Sequence, residues 1–233
     1  MLKFIFLVGR TLIDEQNFYS FIDSRLLYLL NQFGAKIDNR NYDAIKNDII
    51  KNRKLPKDGV EELIIQICKV LMPKGYEKII LKYILPSIEF AEKHLLYPSD
   101  DAIATLELLS QNYRIGVIGS HENKISKILK IYEMNKYFNC CILSYKENIE
   151  PDKEIFSLIL NMLGRRSGES LLIGDRLDTH IHIANTLGII TIRLTKSIFK
   201  VQEATNQNEV PKFTLNNLGE LANTGFTMSQ SNP

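Results

Sequence analysis

Acidic, basic and imidazole side chains near the ends of apolar runs are the residues of this chain that could do chemistry. Asp175 and Arg176 come directly after the apolar run 170–174, and His180 lies five residues beyond Asp175. Glu150 stands in an earlier polar segment. Carboxylates and imidazoles can transfer protons, attack an electrophile or hold a metal ion. These residue types suggest acid–base, nucleophilic or metal-assisted catalysis.

Histidine is concentrated around these positions. Three of the four histidines, His121, His180 and His182, lie in the same two stretches, so a rebuilt metal or acid–base centre is one interpretation. His180 and His182 are two residues apart in a predicted helix, where such side chains point in different directions. We therefore expect no metal site here, and we expect His121 to begin a helix. Asp14 is a further candidate nucleophile, which we interpret as a hinge residue.

Short apolar strands that alternate with helices must position these side chains. A first strand at residues 4–8 is followed, after residue 98, by predicted strands at 115–119, 140–143, 170–173 and 190–194, with helices between them. This alternation predicts βαβ units and a parallel sheet covered on both faces. Residues 15–97 instead show apolar residues at helical spacing, broken at Pro56, Pro73 and nearby glycines. A polar loop at 196–211 and a closing helix at 215–221 complete the prediction.

The bulk composition is that of an ordinary globular protein. The chain has 233 residues, 45% of them hydrophobic, with a net charge of +2, so no strong field points to nucleic acid or to a membrane surface. No run of about 18 apolar residues predicts a membrane span. Three cysteines, two of them adjacent, give no disulfide framework, and we expect reduced thiols in a cytoplasmic protein.

Several segments, in order, resemble motifs of the haloacid-dehalogenase-like (HAD-like) hydrolase superfamily. Thr11 and Leu12 match the end of its first motif, a strand followed by Asp-x-Asp-Gly-Thr-Leu, and residues 97–120 resemble the approach to the second. Residues 151–156, Pro-Asp-Lys-Glu-Ile-Phe, resemble the third motif, and residues 173–175, Ile-Gly-Asp, resemble the fourth. The resemblance implies an α/β fold: a three-layer, Rossmann-like core with a parallel sheet (residues 1–14 and 98–222), an inserted α-helical cap (15–97) and a flexible tail (223–233).

The resemblance also implies a chemistry. In the family, the first aspartate attacks the substrate and the second, two residues on, acts as acid and base. Mg²⁺ bridges the carboxylates and the substrate oxygens, a hydroxyl of the second motif holds the transferring group, and a lysine of the third motif neutralises charge.

The residues that should perform this chemistry are mostly replaced. Leu7 stands at the nucleophile position and Gly9 at the acid/base position, and a register shifted by one residue would place Phe6 and Val8 there instead. Neither alignment gives a carboxylate. Arg10 takes the position of the family glycine.

The later motifs are altered as well. Gly119 stands where the hydroxyl is expected, followed by Ser120, and Glu150 replaces the lysine. Asp175 is retained, but the second acid of the fourth motif is His180.

These losses predict a protein without the family's hydrolase activity. We expect no catalytic residues, no metal and no cofactor, and a vestigial pocket formed by Arg10, Thr11, Ser120, His121, Glu150, Asp175, Arg176 and His180. In place of the cation, Arg10 or Arg176 is expected to pair with Glu150 or Asp175, because the acids would otherwise repel each other. The alternative for Arg176 is a solvated loop residue.

Three functions follow from this interpretation. The leading one is a non-catalytic binding or regulatory protein that takes a protein partner, or a small ligand, through the cap or the cap–core cleft, with homo-oligomerisation open. The alternative is a HAD-type phosphatase or dehalogenase with a rebuilt site, which would require Mg²⁺. The third, nucleic-acid binding, depends on a basic segment at residues 46–57, whose charges we expect to be a solvated helix face.

Overall fold

The computed structural model describes residues 2–55, 59–119, 122–143, 152–164 and 167–223. The chain divides into two compact units, one formed by Met1–Asp14 with Tyr97–Pro233 and the other by Glu15–Leu96. We call them the core unit and the helical unit. The helical unit ends at Leu96, one residue before the end that we expected for the cap.

The described residues of the core unit form eight strands. In chain order they are β1 (Lys3–Leu7), β2 (Ile13–Asp14), β3 (Tyr97–Pro98), β4 (Arg114–Gly119), β5 (Cys140–Leu143), β6 (Ser170–Gly174), β7 (Ile190–Leu194) and β8 (Phe213–Leu215). Six of them form a parallel sheet in the order β5-β4-β1-β6-β7-β8, and β2 pairs with β3 in a small antiparallel ribbon. The predicted α/β class with a parallel sheet is confirmed. Strand β1 is central and every one of its residues is buried, as expected for a strand covered on both faces.

Eight α-helices occur in the parts of the two units that the structure describes. They are α1 (Gln16–Gln32), α2 (Asn39–Lys51), α3 (Val60–Leu71), α4 (Tyr76–His94), α5 (Ala102–Ser110), α6 (Glu122–Ile131), α7 (Lys153–Leu163) and α8 (His182–Thr186). The helix α7 shows how the sequence sets such an element. Asp152 caps its first turn by accepting from the backbone N–H groups of Glu154 and Ile155, both at 3.0 Å, and Gly164 ends it with φ +103°. Its buried face packs under the central strands.

The last strand and the last helix differ from the sequence prediction. The predicted closing helix at 215–221 is wrong, because Phe213–Leu215 pairs in parallel with β7 and only Gly219–Asn223 forms a 3₁₀ turn. Pairing satisfies the backbone groups that the edge of β7 would otherwise present to solvent. The helix that we expected at about residues 180–187 is present as the shorter α8, and a π-helical turn, Leu177–Ile181, precedes it.

The helical unit has its own interior. Within it, α4 packs on α1 and α3, and α2 packs on α3. Tyr42 is buried and donates to Asp23 Oδ1 at 2.8 Å, and Lys46 pairs with the same carboxylate. Burial and the negative charge of Asp23 raise the pKa of Tyr42 above its ordinary value. Lys46, one of the cations of the predicted basic segment, is therefore neutralised inside the unit and does not belong to a solvated face.

None of the helices in the described part of the chain is both long enough and apolar enough to cross a membrane.

Candidate functional site

The carboxyl ends of the central strands bring the charged side chains of the core unit together. Phe6 of β1 pairs with Ile173 of β6, and Gly174 of β6 pairs with Arg193 of β7. The residues that follow β1 and β6 therefore leave the sheet at the same edge. Ligand sites of open α/β sheets lie at this edge.

Arg10 and Asp175 form a buried ion pair at this edge. Arg10 Nε donates to Asp175 Oδ2 at 2.8 Å, and the two side chains are 8% and 0% exposed. Arg10 has φ +62°, inside a tight turn in which Val8 O accepts from the backbone N–H groups of Leu12 and Ile13. The left-handed conformation explains why the family has glycine here. This pair is one of the combinations that we expected, in which Arg10 or Arg176 would pair with Glu150 or Asp175.

His180 contacts the other oxygen of the same carboxylate. Its Nδ1 lies 3.2 Å from Asp175 Oδ1, and its side chain is 3% exposed. Burial raises the pKa of Asp175. The charge of Arg10, the neighbouring His180 imidazole and the Ser197 hydroxyl together outweigh burial, so the pKa of Asp175 lies well below its usual range.

A local irregularity of the backbone places His180 beside Asp175. Ile181 N–H donates to Arg176 O at 3.1 Å, five residues back, so the turn is wider than an α-helical one. Such π-helical turns are rare and occur frequently at functional sites. Gly174 permits the close approach, since a Cβ there would lie 3.2 Å from His180 Cβ.

Arg176 is buried as well, so its interpretation as a solvated loop residue is wrong. Its Nε donates to Asp178 Oδ1 at 2.8 Å and its Nη2 to Asp178 Oδ2 at 3.1 Å, a bidentate pair. Gln202 supports the pair, since its Nε2 donates to Asp178 and its Oε1 accepts from Leu177 N–H. Burial opposes ionisation of Asp178, but these contacts lower its pKa.

Phe199 connects the two arginines. Its ring centre lies 4.8 Å from the guanidinium carbon of Arg10 and 5.0 Å from that of Arg176. Both distances are typical of cation–π contacts. A third arginine, Arg193, donates through Nη2 to Phe199 O at 2.8 Å. Burial lowers the pKa of Arg193, while the charge of Asp175 opposes that shift.

Sequence reasoning missed Arg193, Phe199, Gln202 and Asp178. The predicted polar loop at 196–211 contains two 3₁₀ turns, Ile198–Val201 and Gln207–Glu209. The available signal was a lone phenylalanine in a polar stretch, shortly after a strand whose penultimate residue is Arg193.

The remaining candidates of the sequence analysis are scattered. Leu7 is buried in the core, 4% exposed. Thr11 is 1% exposed, and its hydroxyl has no hydrogen-bond partner among the described residues. Asp14 accepts from Lys196 Nζ at 2.9 Å. Ser120, His121 and Glu150 lie outside the described residues.

Mg²⁺, the cation of HAD-like hydrolases, does not fit the described residues. Asp175 is the one carboxylate retained from the family motifs here, its side chain is 0% exposed, and Arg10 and His180 already occupy its two oxygens. Leu7 and Gly9 supply no carboxylate. No group of three or more His, Cys, Asp or Glu side chains able to hold a metal occurs in the part of the chain that the structure describes.

Comparison with known proteins gives a consistent result. Residues 150–221 match the family model described as HAD-hydrolase-like. A glyceraldehyde 3-phosphate phosphatase of Methanocaldococcus jannaschii is 27% identical over 221 residues, 93% of each chain. The enzyme of the same name from Methanopyrus kandleri is 28% identical over 130 residues, so that match spans only 55% of the relative and 54% of this chain. A Bacillus subtilis protein described as a HAD-hydrolase, solved bound to magnesium, has a TM-score of 0.64 at 16% identity, covering 95% of this chain and 97% of its own.

The prediction of a non-catalytic binding protein, and with it the prediction that the chain is not an enzyme, is wrong. The curated relatives are named phosphatases, and one of them matches along 93% of both chains. The overturned prediction rested on the loss of the strand carboxylates alone. Residues 150–221 thus match the HAD-hydrolase-like model, and the fold is similar to that of a HAD-hydrolase along nearly the whole chain, in line with the resemblance of the sequence motifs.

Proposed function

We propose that the protein hydrolyses phosphate monoesters at a rebuilt HAD-type site. The observation that carries this proposal is the 27% identity to a glyceraldehyde 3-phosphate phosphatase over 93% of both chains. A small phosphorylated metabolite is the expected substrate class, and glyceraldehyde 3-phosphate is the first compound to test.

The charges at the carboxyl edge of the sheet support an anionic substrate. Arg10, Arg176 and Arg193 meet around Phe199, and two carboxylates, Asp175 and Asp178, lie among them. Cationic donors held in a buried site stabilise the charge that develops on phosphoryl oxygens. Guanidinium groups suit this task because their planar forks match phosphate oxygens.

The reaction must differ in one step from that of the family. Leu7 and Gly9 cannot attack phosphorus, so a water molecule attacks directly and its oxygen forms the new P–O bond. The P–O bond to the substrate's alcohol breaks, the leaving oxygen takes a proton from His180, and the product phosphate, which carries both protons of the water, returns one of them to His180. His180, oriented by Asp175 through Nδ1, is the proposed proton donor, because a carboxylate partner fixes the tautomer and direction of an imidazole.

The test is phosphate release by the purified chain from glyceraldehyde 3-phosphate and a panel of other phosphate monoesters, with halide release from chloroacetate as the dehalogenase arm. We expect release of phosphate and no release of halide. His180→Asn should lower kcat at least 10-fold, in line with the usual contribution of a general acid. Lys136→Met, in an exposed ion pair of the core unit, is the matched control and should keep full activity.

Two results would refute the proposal. One is the absence of phosphate release from every substrate. The other is release that His180→Asn and Asp175→Asn leave unchanged, which would indicate a contaminating phosphatase.

A further inference from the structure

We infer that the guanidinium of Arg10 takes the place of the divalent cation of HAD-like hydrolases, so that this chain binds and hydrolyses phosphate without a metal ion. The inference rests on the proposed function for its catalytic part, whereas its binding part can be tested separately.

The contacts of Asp175 are the first observation behind this inference. A magnesium ion binds carboxylate oxygens at about 2.1 Å and keeps several waters around it. Here Asp175 Oδ2 accepts from Arg10 Nε at 2.8 Å, Oδ1 faces His180 Nδ1 at 3.2 Å, and the carboxylate is 0% exposed. A divalent cation could reach this carboxylate only by displacing Arg10, and it would meet the positive charge of Arg10 on the way.

The backbone conformation of Arg10 is the second observation behind this inference. A φ of +62° is unfavourable for a residue with a Cβ, yet it directs the side chain from the end of β1 onto a carboxylate that follows β6. Phe199 then fixes the plane of the guanidinium from one side, with its ring centre 4.8 Å away. Two independent contacts thus hold the cation at the strand ends, as a bound metal would be held by its ligands.

The neighbouring arginines, Arg176 and Arg193, are the third observation behind this inference. One guanidinium supplies half the charge of a magnesium ion, so additional cations are needed to offset a phosphate dianion. Arg176 and Arg193 lie against the ring and the backbone carbonyl of the same Phe199. Arg193 Nε is buried and has no hydrogen-bond partner among the described residues. A buried donor without a partner is costly, and an anion oxygen would satisfy it.

Turnover with and without metal tests the catalytic part. Phosphate release from the best substrate is measured after dialysis against EDTA, and again with added Mg²⁺. We expect the two rates to agree within twofold. A loss of more than 10-fold in EDTA that Mg²⁺ restores would overturn the inference and leave the proposed function intact. The absence of turnover in both conditions would refute the proposed function, and the binding measurement would then decide the inference.

Thermal melting with inorganic phosphate as the probe tests the binding part. In EDTA, phosphate should raise the melting temperature of the wild type and of the control Lys136→Met, and Mg²⁺ alone should leave both unchanged. Arg10→Met should lose most of the phosphate-induced shift. Arg10→Lys, which keeps the charge without the planar fork, should retain part of it and remains informative if Arg10→Met does not fold. A shift with Mg²⁺ alone, a phosphate shift that requires Mg²⁺, or equal phosphate shifts in all variants would overturn the inference.

Discussion

Replacing Arg10 with methionine should destabilise the core unit strongly, since it leaves the buried Asp175 without its partner. Removing one member of a buried ion pair costs about 3–5 kcal/mol, and exposures of 8% and 0% leave little room for solvent screening. The variant can also protonate Asp175. At pH 7 that costs about 4 kcal/mol, from about 1.4 kcal/mol per pH unit above an ordinary aspartate pKa of about 3.9. Asp175 can stay ionised without a partner or become protonated, and the variant takes whichever costs less. We therefore expect the free energy of unfolding to fall by about 3–4 kcal/mol.

The stability deficit of Arg10→Met should change with pH in one direction. In the wild type, Asp175 has a lowered pKa, so its contribution to stability is present above about pH 4, the ordinary aspartate range, and is lost as the pH falls below it. In Arg10→Met, burial without the cation should raise the pKa of Asp175. The deficit of the variant should therefore shrink as the pH falls from 7 towards about 4.

Urea unfolding followed by far-ultraviolet circular dichroism measures both effects, since the chain contains no tryptophan. The free energy of unfolding is obtained at several pH values for the wild type, Arg10→Met and the exposed control Lys136→Met, which should match the wild type. A deficit of less than about 1 kcal/mol at pH 7, the range of an exposed pair, would refute the reasoning. A deficit that does not change between pH 7 and about pH 5 would refute its electrostatic origin.

Three further predictions concern other parts of the core unit. Asp152→Ala should lower stability by about 1 kcal/mol in urea unfolding, the usual value of an N-cap, whereas Asp101→Ala, which removes an N-cap residue without a side-chain capping bond, should not lower it in this way. Gly116→Ala should cost about 1–3 kcal/mol by overpacking, because its Cβ would lie 2.8 Å from Ile159 Cδ1, and Ile159→Val should recover part of that loss. Phe199→Leu should lower kcat/KM for phosphate release while the protein still unfolds cooperatively, since it removes the contacts with both guanidinium groups; an unchanged kcat/KM would contradict a role for the ring.

The sequence predicted the sheet better than the site. The strands at residues 115–119 and 190–194 are mostly buried apolar runs between helices, and burial on both faces leaves such a pattern in the sequence. The strand at Phe213–Leu215 is only three residues long and none of them is buried, so it carries no comparable signal.

The candidate site could be predicted only in part. The pair of Arg10 and Asp175 follows from charge, since a buried acid needs a cation and the motif alignment placed one opposite it. Phe199 and Gln202 were not predictable in this way. Their roles depend on the path of residues 197–202 back to the end of β6, where Gln202 Oε1 reaches Leu177 N–H, and no short-range pattern in the sequence encodes that path.

The conformation of Arg10 also has a consequence for the history of the chain. Glycine at this position is compatible with a metal held by carboxylates, whereas arginine is compatible with Asp175 only when the cation is absent. A chain with arginine at position 10 and a bound metal would have two cations side by side. A chain with glycine at position 10 and no metal would leave Asp175 without a countercharge. Both arrangements are costly in a buried site. Relatives should therefore fall into two groups. One has glycine at position 10 with carboxylates at positions 7 and 9, and the other has arginine at position 10 with neither carboxylate.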